Sequence, residues 1–333
     1  MILIGDALEI LKTLEAGSAQ TCVTSPPYWG LRDYGVGGQL GLEKTPQEFV
    51  ENLVSVFREV RRVLKDDGTL WLNLGDSYAA KAKNRSINQA TKSSTLAGGK
   101  VTQTQILVQQ SKIVGGLKSK DLCGIPWRVA FALQADGWYL RQDIIWHKPN
   151  PMPESVRDRC TKAHEYIFLL SKSPKYFFDI QAIAEPAVSA HEIKWAAQSG
   201  NLCGGRSYAK SGKSTRRFGS GNGERKQRPS SDVLGRGAQA GSIPWDYTVT
   251  RQKRSVWSVT TKPFKGAHFA TFPPDLIEPC VLAGSREGDT VLDPFFGAGT
   301  TGLVAKKHNR RWMGIELNPE YAKMAEKRIA EGS

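Results

Sequence analysis

The chain has 333 residues, of which 40% are hydrophobic and 23% are charged, a composition typical of an ordinary globular protein. No apolar run approaches the roughly 18 residues that a membrane-spanning helix needs, and no signal peptide is indicated, so we expect neither a membrane protein nor a secreted one. The net charge of +14 favours a polyanionic partner.

The positive charge is concentrated in two polar segments that are rich in glycine and serine. Residues 81–120, the first basic segment, hold eight lysines and arginines and no acidic residue. Residues 191–254, the second basic segment, hold thirteen basic residues against four acidic ones, with aromatic residues among them. Each segment reads either as a nucleic-acid contact or as a solvated loop, and a loop of this kind can also become ordered on nucleic acid.

The N-terminal part alternates between strand and helix patterns. An apolar strand over residues 1–5 leads to Asp6, and a short amphipathic helix and a second strand, 19–23, follow. A glycine-rich loop covers residues 29–45. Thr45 and Pro46 form an N-cap and a first helical position, which predicts a helix that ends at Gly68 before a buried strand.

The same alternation resumes after each basic segment. Between the two segments we predict a helix over 126–135 and strands over 139–146 and 166–170, the strands joined by a proline-rich connector. The last third predicts, in order, a helix over 274–282, a strand over 290–293, a helix over 300–307, a strand over 312–316 and a helix from 319. Strands that alternate with helices predict an α/β protein with a doubly wound, mostly parallel sheet.

The second predicted strand ends in the sequence Thr24-Ser25-Pro26-Pro27-Tyr28. Paired prolines cannot continue a central strand, so the chain must turn here, at the edge where open α/β sheets bind ligands. A hydroxyl, carbonyl acceptors and an aromatic ring at that place suit a planar base with an exocyclic amino group.

A second motif, 293–302, contains a literal G-x-G-x-x-G, with Glu316 after the next strand. In a nicotinamide site the first glycine follows the strand almost directly, and Asp293 here would face a pyrophosphate. S-adenosylmethionine is cationic and suits Asp293 better, while Gly297 and Gly299 allow close backbone approach and Glu316 can accept the ribose hydroxyls. A nicotinamide cofactor is the alternative.

The two motifs together resemble the permuted amino-methyltransferases of bacterial and phage DNA modification. Thr24–Tyr28 comes early in the chain and Asp293–Thr300 late, so the domain reads as one sheet with moved termini. The resemblance also rests on Gly5-Asp6-Ala7, on 164–168, 268–273 and 314–318, and it extends over nearly the whole chain outside the two basic segments.

This resemblance implies a Rossmann-like mixed sheet of seven strands, antiparallel near Tyr166, with an inserted target-recognition region. The implied parts are a catalytic half (1–80 and 121–190), a basic insertion (81–120), the target-recognition region (191–254) and a cofactor half (255–333). The implied cofactor-binding residues are Asp6, Ala7, Phe269, Thr271, Asp293, Phe295, Gly297, Gly299, Thr300, Thr301, Glu316 and Leu317.

The catalytic residues are expected to be Ser25, Pro26, Pro27 and Tyr28. The Ser25 hydroxyl and the Pro26 carbonyl would accept the amino N–H bonds, and Tyr28 would stack on a base flipped out of the duplex. Expected nucleic-acid contacts are Trp29, Arg32, Arg216, Arg217 and Lys226.

Three residues could suggest other chemistry, and we interpret each as structural. Cys280 could act in carbon-5 methylation, but it lies in an apolar helical stretch. His147 and His164 show no acid–base partner in the sequence. Five scattered cysteines without a C-x-x-C pair favour a reducing compartment and argue against zinc.

We therefore expect an S-adenosylmethionine-dependent methyltransferase that acts on double-stranded DNA in the cytoplasm of a bacterium or a phage-infected cell. Ser25 favours N4 of cytosine, because adenine-modifying relatives more often have Asp or Asn there. The alternatives are N6 of adenine, an RNA substrate, a non-catalytic binder and an oxidoreductase. A restriction endonuclease is a possible partner, and the protein is expected to be a monomer or a homodimer.

Overall fold

A computed structural model describes residues 1–81, 111–187, 250–261 and 272–332, and the backbone of 202–203 and 248–249. The chain divides into two compact units. One comprises Met1–Ile183 with Arg254–Ser333, and the other comprises Ala184–Lys253. Most of the two basic segments, with Arg216, Arg217 and Lys226, lies outside the described residues, as do Phe269 and Thr271.

The secondary structure follows the predicted alternation. The strands are β1 (Ile2–Ile4), β2 (Ala19–Thr24), β3 (Leu64–Leu74), β4 (Tyr139–His147), β5 (His164–Ser171), β6 (Glu185–Pro186), β7 (Leu202–Cys203), β8 (Thr248–Arg251), β9 (Val256–Ser258), β10 (Thr290–Asp293) and β11 (Arg311–Glu316). The helices are α1 (Ala7–Thr13), α2 (Pro46–Val63), α3 (Ile125–Ala135), α4 (Pro274–Gly284), α5 (Thr300–Lys307) and α6 (Pro319–Glu331).

The larger unit is built on a mixed sheet with the strand order β1-β11-β10-β2-β3-β5-β4-β9. Only β5 runs against its neighbours, which confirms the reversed strand expected near Tyr166. The seven expected strands are present, and the three-residue strand β9 pairs with β4 and extends the sheet to eight. Strand β10 from the C-terminal part lies directly beside β2 from the N-terminal part, as the moved termini require.

Helices cover both faces of this sheet, which confirms the doubly wound arrangement. On one face the buried residues of α1, α2 and α3 pack on Leu70, Leu72 and Leu74 of β3. On the other face α4 and α5 pack around Trp71. Cys280 is buried in this second layer, in agreement with the structural role expected for it.

Helix α2 ends earlier than the sequence predicts. The expected end was Gly68, but the helix ends at Val63 and strand β3 begins at Leu64. The β2–β3 register then shifts, and a Cβ on Gly68 would lie 2.9 Å from the Lys65 carbonyl oxygen. Gly68 therefore permits this irregular start of the strand and does not terminate the helix.

The smaller unit contains a three-stranded antiparallel sheet in the order β6-β8-β7. Glu185 of this unit forms ion pairs with Lys253, at 3.0 Å, and with Arg251, at 3.5 Å. Across the described residues of both units, no helix is long and apolar enough to cross a bilayer.

Candidate active site

The topology brings the carboxyl ends of β1, β2, β3, β10 and β11 to one edge of the sheet, where they surround a cleft of about 1050 Å³. A ligand site is expected at this edge of an open α/β sheet. The volume is at the upper limit of ordinary small-molecule pockets, so the cleft has room for a cofactor and part of a second substrate.

Most of the residues predicted from the sequence lie together in this cleft. Its lining includes Asp6, Ala7, Ser25, Pro26, Pro27, Tyr28, Arg32, Asp293, Phe295, Gly297, Thr300, Glu316 and Leu317. Gly299, Thr301 and Trp29 are not part of the lining.

Trp29 corrects one expectation. It was predicted as a nucleic-acid contact, but its side chain is only 3% exposed and belongs to the hydrophobic core. Its indole N–H donates a hydrogen bond of 3.0 Å to the Glu43 carbonyl oxygen. Burial of so large an apolar ring stabilises the fold more than exposure would, so Trp29 anchors the loop that follows Tyr28.

Tyr28 is fixed by contacts on two sides. Its hydroxyl donates to Glu165 Oε2 at 2.8 Å and lies 3.3 Å from Asn73 Oδ1. Its ring lies against Gly75, where an added Cβ would be only 2.4 Å from Tyr28 Cε2. Burial raises the pKa of the Tyr28 phenol well above its usual range, and the Glu165 carboxylate raises it further. The phenol is therefore protonated and acts as a hydrogen-bond donor at neutral pH.

Glu165, Lys148 and Asn73 line the cleft, although the sequence analysis did not select them. Lys148 forms an ion pair with Glu165, and its Nζ lies 4.1 Å from the centroid of the Trp146 ring. These residues meet only because β4 and β5 pair in antiparallel register, a long-range contact that no local pattern reports. The reversed direction expected for β5 was the one available signal.

The neighbouring histidines have structural surroundings. His147 Nδ1 lies 3.0 Å from Ser258 Oγ, across the β4–β9 pair. The His164 ring packs edge-on against Tyr166, with centroids 5.4 Å apart. Burial lowers the pKa of His164, and the nearby Lys162 ammonium lowers it further, which favours the neutral ring.

The carboxylate of Asp293 joins the two halves of the large unit. One oxygen accepts from Thr24 Oγ1 at 2.6 Å and the other from Thr301 Oγ1 at 2.7 Å. The backbone N–H of Phe295 adds a third bond of 3.0 Å. Burial nevertheless raises the pKa of Asp293 to about 6, with the nearby Glu316 also raising it. Thr301 thus acts through Asp293 and does not face the cleft.

Glu316 organises the glycine-rich turn after β10. Its side chain accepts from the backbone N–H of Gly297 at 2.7 Å and of Asn318 at 2.9 Å. Burial raises the pKa of Glu316, and these backbone bonds oppose the rise. Gly299 has φ +74°, and an added Cβ would lie 2.8 Å from the Cβ of Ala325, so this glycine serves helix packing and not close approach to a ligand.

Asp6 completes the acidic lining at the end of β1. Its side chain caps α1 by accepting from the Glu9 N–H at 3.0 Å, while the residue itself lines the cleft. Three strand ends therefore present carboxylates to one cavity, and this environment favours a cationic group over a phosphate.

Comparison with known proteins gives a consistent result. Residues 19–327 match the model of the N6/N4 methyltransferase family, described as DNA methylase. The Type II methyltransferase M.XycI of Xanthomonas campestris pv. cyanopsidis is 46% identical over 325 residues, which cover 98% of this chain and 86% of that protein. M.SmaI of Serratia marcescens is 45% identical over 329 residues, which cover 98% of this chain and 90% of that protein.

Solved structures share the fold. The cytosine-N4-specific PvuII DNA methyltransferase superposes with a TM-score of 0.56 at 19% identity and covers 100% of this chain and 93% of its own. A DNA modification methylase of Thermus thermophilus, complexed with S-adenosyl-L-methionine, gives a TM-score of 0.56 at 22% identity, with coverage of 99% and 93%.

The raised pKa of Asp293 predicts an unusual pH dependence of stability. Since the folded protein holds this proton up to about pH 6 while the unfolded chain releases it near pH 3.8, rising pH in that interval lowers the free energy of unfolding. Asp293→Asn removes this effect, so the variant should gain about 1 kcal/mol relative to wild type between pH 5 and pH 7.5. Urea unfolding at both pH values measures the difference.

The matched control is Asp289→Asn. Burial tends to raise the pKa of Asp289, but the Lys65 ammonium and the Arg286 N–H outweigh it and hold that pKa below its ordinary value. The control should therefore lose stability relative to wild type at neutral pH. If the Asp293 variant and wild type show parallel pH dependence, the assignment of a buried, partly protonated Asp293 is wrong.

Proposed function

Because this chain belongs to the N6/N4 family of DNA methylases and is an S-adenosylmethionine-dependent DNA methyltransferase, we propose that it methylates N4 of cytosine in duplex DNA. The observation that carries the proposal is a single cleft lined both by Ser25–Tyr28 and by the carboxylates of Asp293 and Glu316. The acceptor base and the methyl donor would meet there.

The acidic half of the cleft fits the cofactor. S-adenosylmethionine, when bound, supplies a methyl group on a sulfonium, which is open to attack by a weak nucleophile. Asp293, with a pKa of about 6, can be ionised at neutral pH and favour a cation. Glu316 has acceptor capacity for ribose hydroxyls beyond its two backbone bonds, and Asp6 is placed to accept from an adenine amino group.

The other half of the cleft fits a base with an amino group. The lone pair of such a nitrogen is conjugated with the ring, which makes it a poor nucleophile. Acceptors at Ser25 Oγ and the Pro26 carbonyl would hold its N–H bonds so that the lone pair regains nucleophilic character. Alignment then dominates the rate, which is why a rigid Tyr28 beneath the base matters.

The contacts of Tyr28 explain how its ring would be held. Gly75 leaves space for the ring at the end of β3, and Glu165 and Asn73 fix the hydroxyl. A target base can reach this position only after it has left the duplex. Arg32, on the cleft wall, is a proposed contact to the displaced strand.

The choice of cytosine over adenine rests on Ser25. Adenine-modifying members of the family more often have Asp or Asn at this place, although either side chain can accept an N–H bond. N6 of adenine is therefore the alternative product. Since the similar proteins are Type II methyltransferases, we also propose that this enzyme acts on a specific double-stranded sequence beside a restriction endonuclease.

Mass spectrometry of nucleosides tests the proposal. DNA treated with the protein and with methyl-labelled S-adenosylmethionine should contain labelled N4-methylcytosine. N6-methyladenine as the sole product would overturn the cytosine assignment. Label in RNA but not in DNA, with both polymers offered, would overturn the choice of polymer. Sequencing of the modified DNA gives the recognition sequence.

The seat of the Tyr28 ring is tested by Gly75→Ala. Since the added methyl would overlap the ring, we expect at least a tenfold fall in methyl transfer, with normal S-adenosylmethionine binding by calorimetry. Tyr28→Ala should likewise bind DNA almost normally but transfer little methyl. The control is Gly37→Ala, where an added Cβ meets no atom within 4 Å. Full activity of the Gly75 variant would show that the ring position is unimportant.

Glu165 is expected to position Tyr28. Glu165→Ala removes the acceptor of the phenol and leaves Lys148 unpaired, so kcat should fall about tenfold to a hundredfold, in line with about 1–3 kcal/mol for a lost buried hydrogen bond. Glu165→Gln keeps an acceptor and should fall less. Glu278→Gln breaks an ion pair on a different helix and should leave kcat unchanged. Equal loss in both Glu165 variants would exclude a purely positioning role.

A further inference from the structure

The connector between β4 and β5, residues 148–163, presents an apolar side chain at the mouth of the cleft. Met152 is 85% exposed, more than any other large hydrophobic residue in the described part of the chain. It also belongs to the cleft lining. Val156, on the same connector, is 40% exposed but does not line the cleft. Exposure of Met152 costs hydrophobic free energy in water, so its position needs a reason outside the fold.

The backbone around Met152 is stiff. Prolines at 149, 151 and 153 fix alternate φ angles and restrict each preceding residue to extended conformations. The Asn150 side chain holds this stretch to Thr261 through bonds of 3.1 Å, 3.0 Å and 3.2 Å. Met152 is therefore presented on a braced arm.

The rest of the connector is tied down as well. Glu154 pairs with Arg159 at 2.6 Å and accepts from the Lys162 N–H at 3.3 Å. The Arg159 guanidinium lies 3.8 Å from the centroid of the Tyr78 ring. Lys162 Nζ reaches the Asp76 carbonyl oxygen at 3.1 Å. With so many ties, little conformational entropy remains to be lost when the arm meets a partner.

The charge around the arm matches a polyanion. Lys148 and Lys162 line the cleft beside Met152, and Arg157 is exposed on the connector. A base that rotates into the cleft leaves a hole in the stack, and apolar wedges, including methionine, fill such gaps between bases. A methionine side chain is unbranched and polarizable, so it can adapt to the flat faces of the neighbouring bases.

We propose that Met152 enters the DNA duplex and fills the space left by the base that rotates towards Tyr28. This assignment rests on the proposed function and adds to it the residue that stabilises the flipped state. Met152 would not touch the reacting atoms, so its loss should affect the extrusion of the base and leave the methyl transfer itself intact.

The test compares Met152→Ser with Val156→Ser on two duplexes that contain the mapped recognition sequence. In one duplex the target base is paired, and in the other an abasic site lies opposite it, so that no pairing has to be broken. Met152→Ser should lower kcat/KM tenfold to a hundredfold on the paired duplex and stay within about threefold of wild type on the abasic one. Val156→Ser should match wild type on both.

Target fluorescence provides the second readout. With 2-aminopurine in place of the target base, wild type should increase the emission of the paired duplex, and Met152→Ser should not. Equal losses on both duplexes, or no loss on the paired one, would overturn the wedge assignment. Failure of the proposed function is distinguishable, because wild type would then methylate neither duplex.

Discussion

The hydrogen bonds on the Asp293 carboxylate connect the parts of the chain that must cooperate. Thr24, at the end of β2, and Thr301, in α5, both donate to this one side chain, so the motif that receives the base is fixed against the turn that receives the methyl donor. Burial strengthens these bonds but raises the pKa of the carboxyl to about 6. The free energy that ionisation costs in the empty site is recovered when a positive charge arrives, so the site favours a cationic cofactor.

The base half depends on a polar network that is built from separate strands. Tyr28 follows β2, Asn73 lies on β3 and Glu165 on the reversed strand β5, with Lys148 just after β4. Each hydrogen bond limits the rotation of the Tyr28 ring, which lies in the space that a glycine leaves at the end of β3. The braced connector that carries Met152 begins at the same corner, so the residues that would hold the base and those that would replace it in the stack share one rigid support.

The order of strands and helices, the motif Thr24–Tyr28 and the turn 293–302 were all readable from the sequence, because periodicity, proline pairs and glycine spacing are local properties. They were sufficient to predict the α/β sheet, the moved termini, the family and the cofactor. The place where α2 ends was not readable, since Gly68 resembles a helix stop and its actual role depends on contact with the neighbouring strand. Trp29 was misassigned because a tryptophan beside a catalytic motif has the same local pattern whether it faces DNA or the core.

Only the tertiary structure decided which side chains hold Tyr28 and what Asp293 does. Glu165 and Lys148 lie far from Tyr28 in sequence, and they meet it through the pairing of β4, β5 and β3, which no local signal encodes. The sequence likewise placed Asp293 near the cofactor but could not show the two threonines that bind it. Hydrogen bonds and desolvation are determined by what lies within a few ångströms in space, and that proximity exists only after the chain has folded.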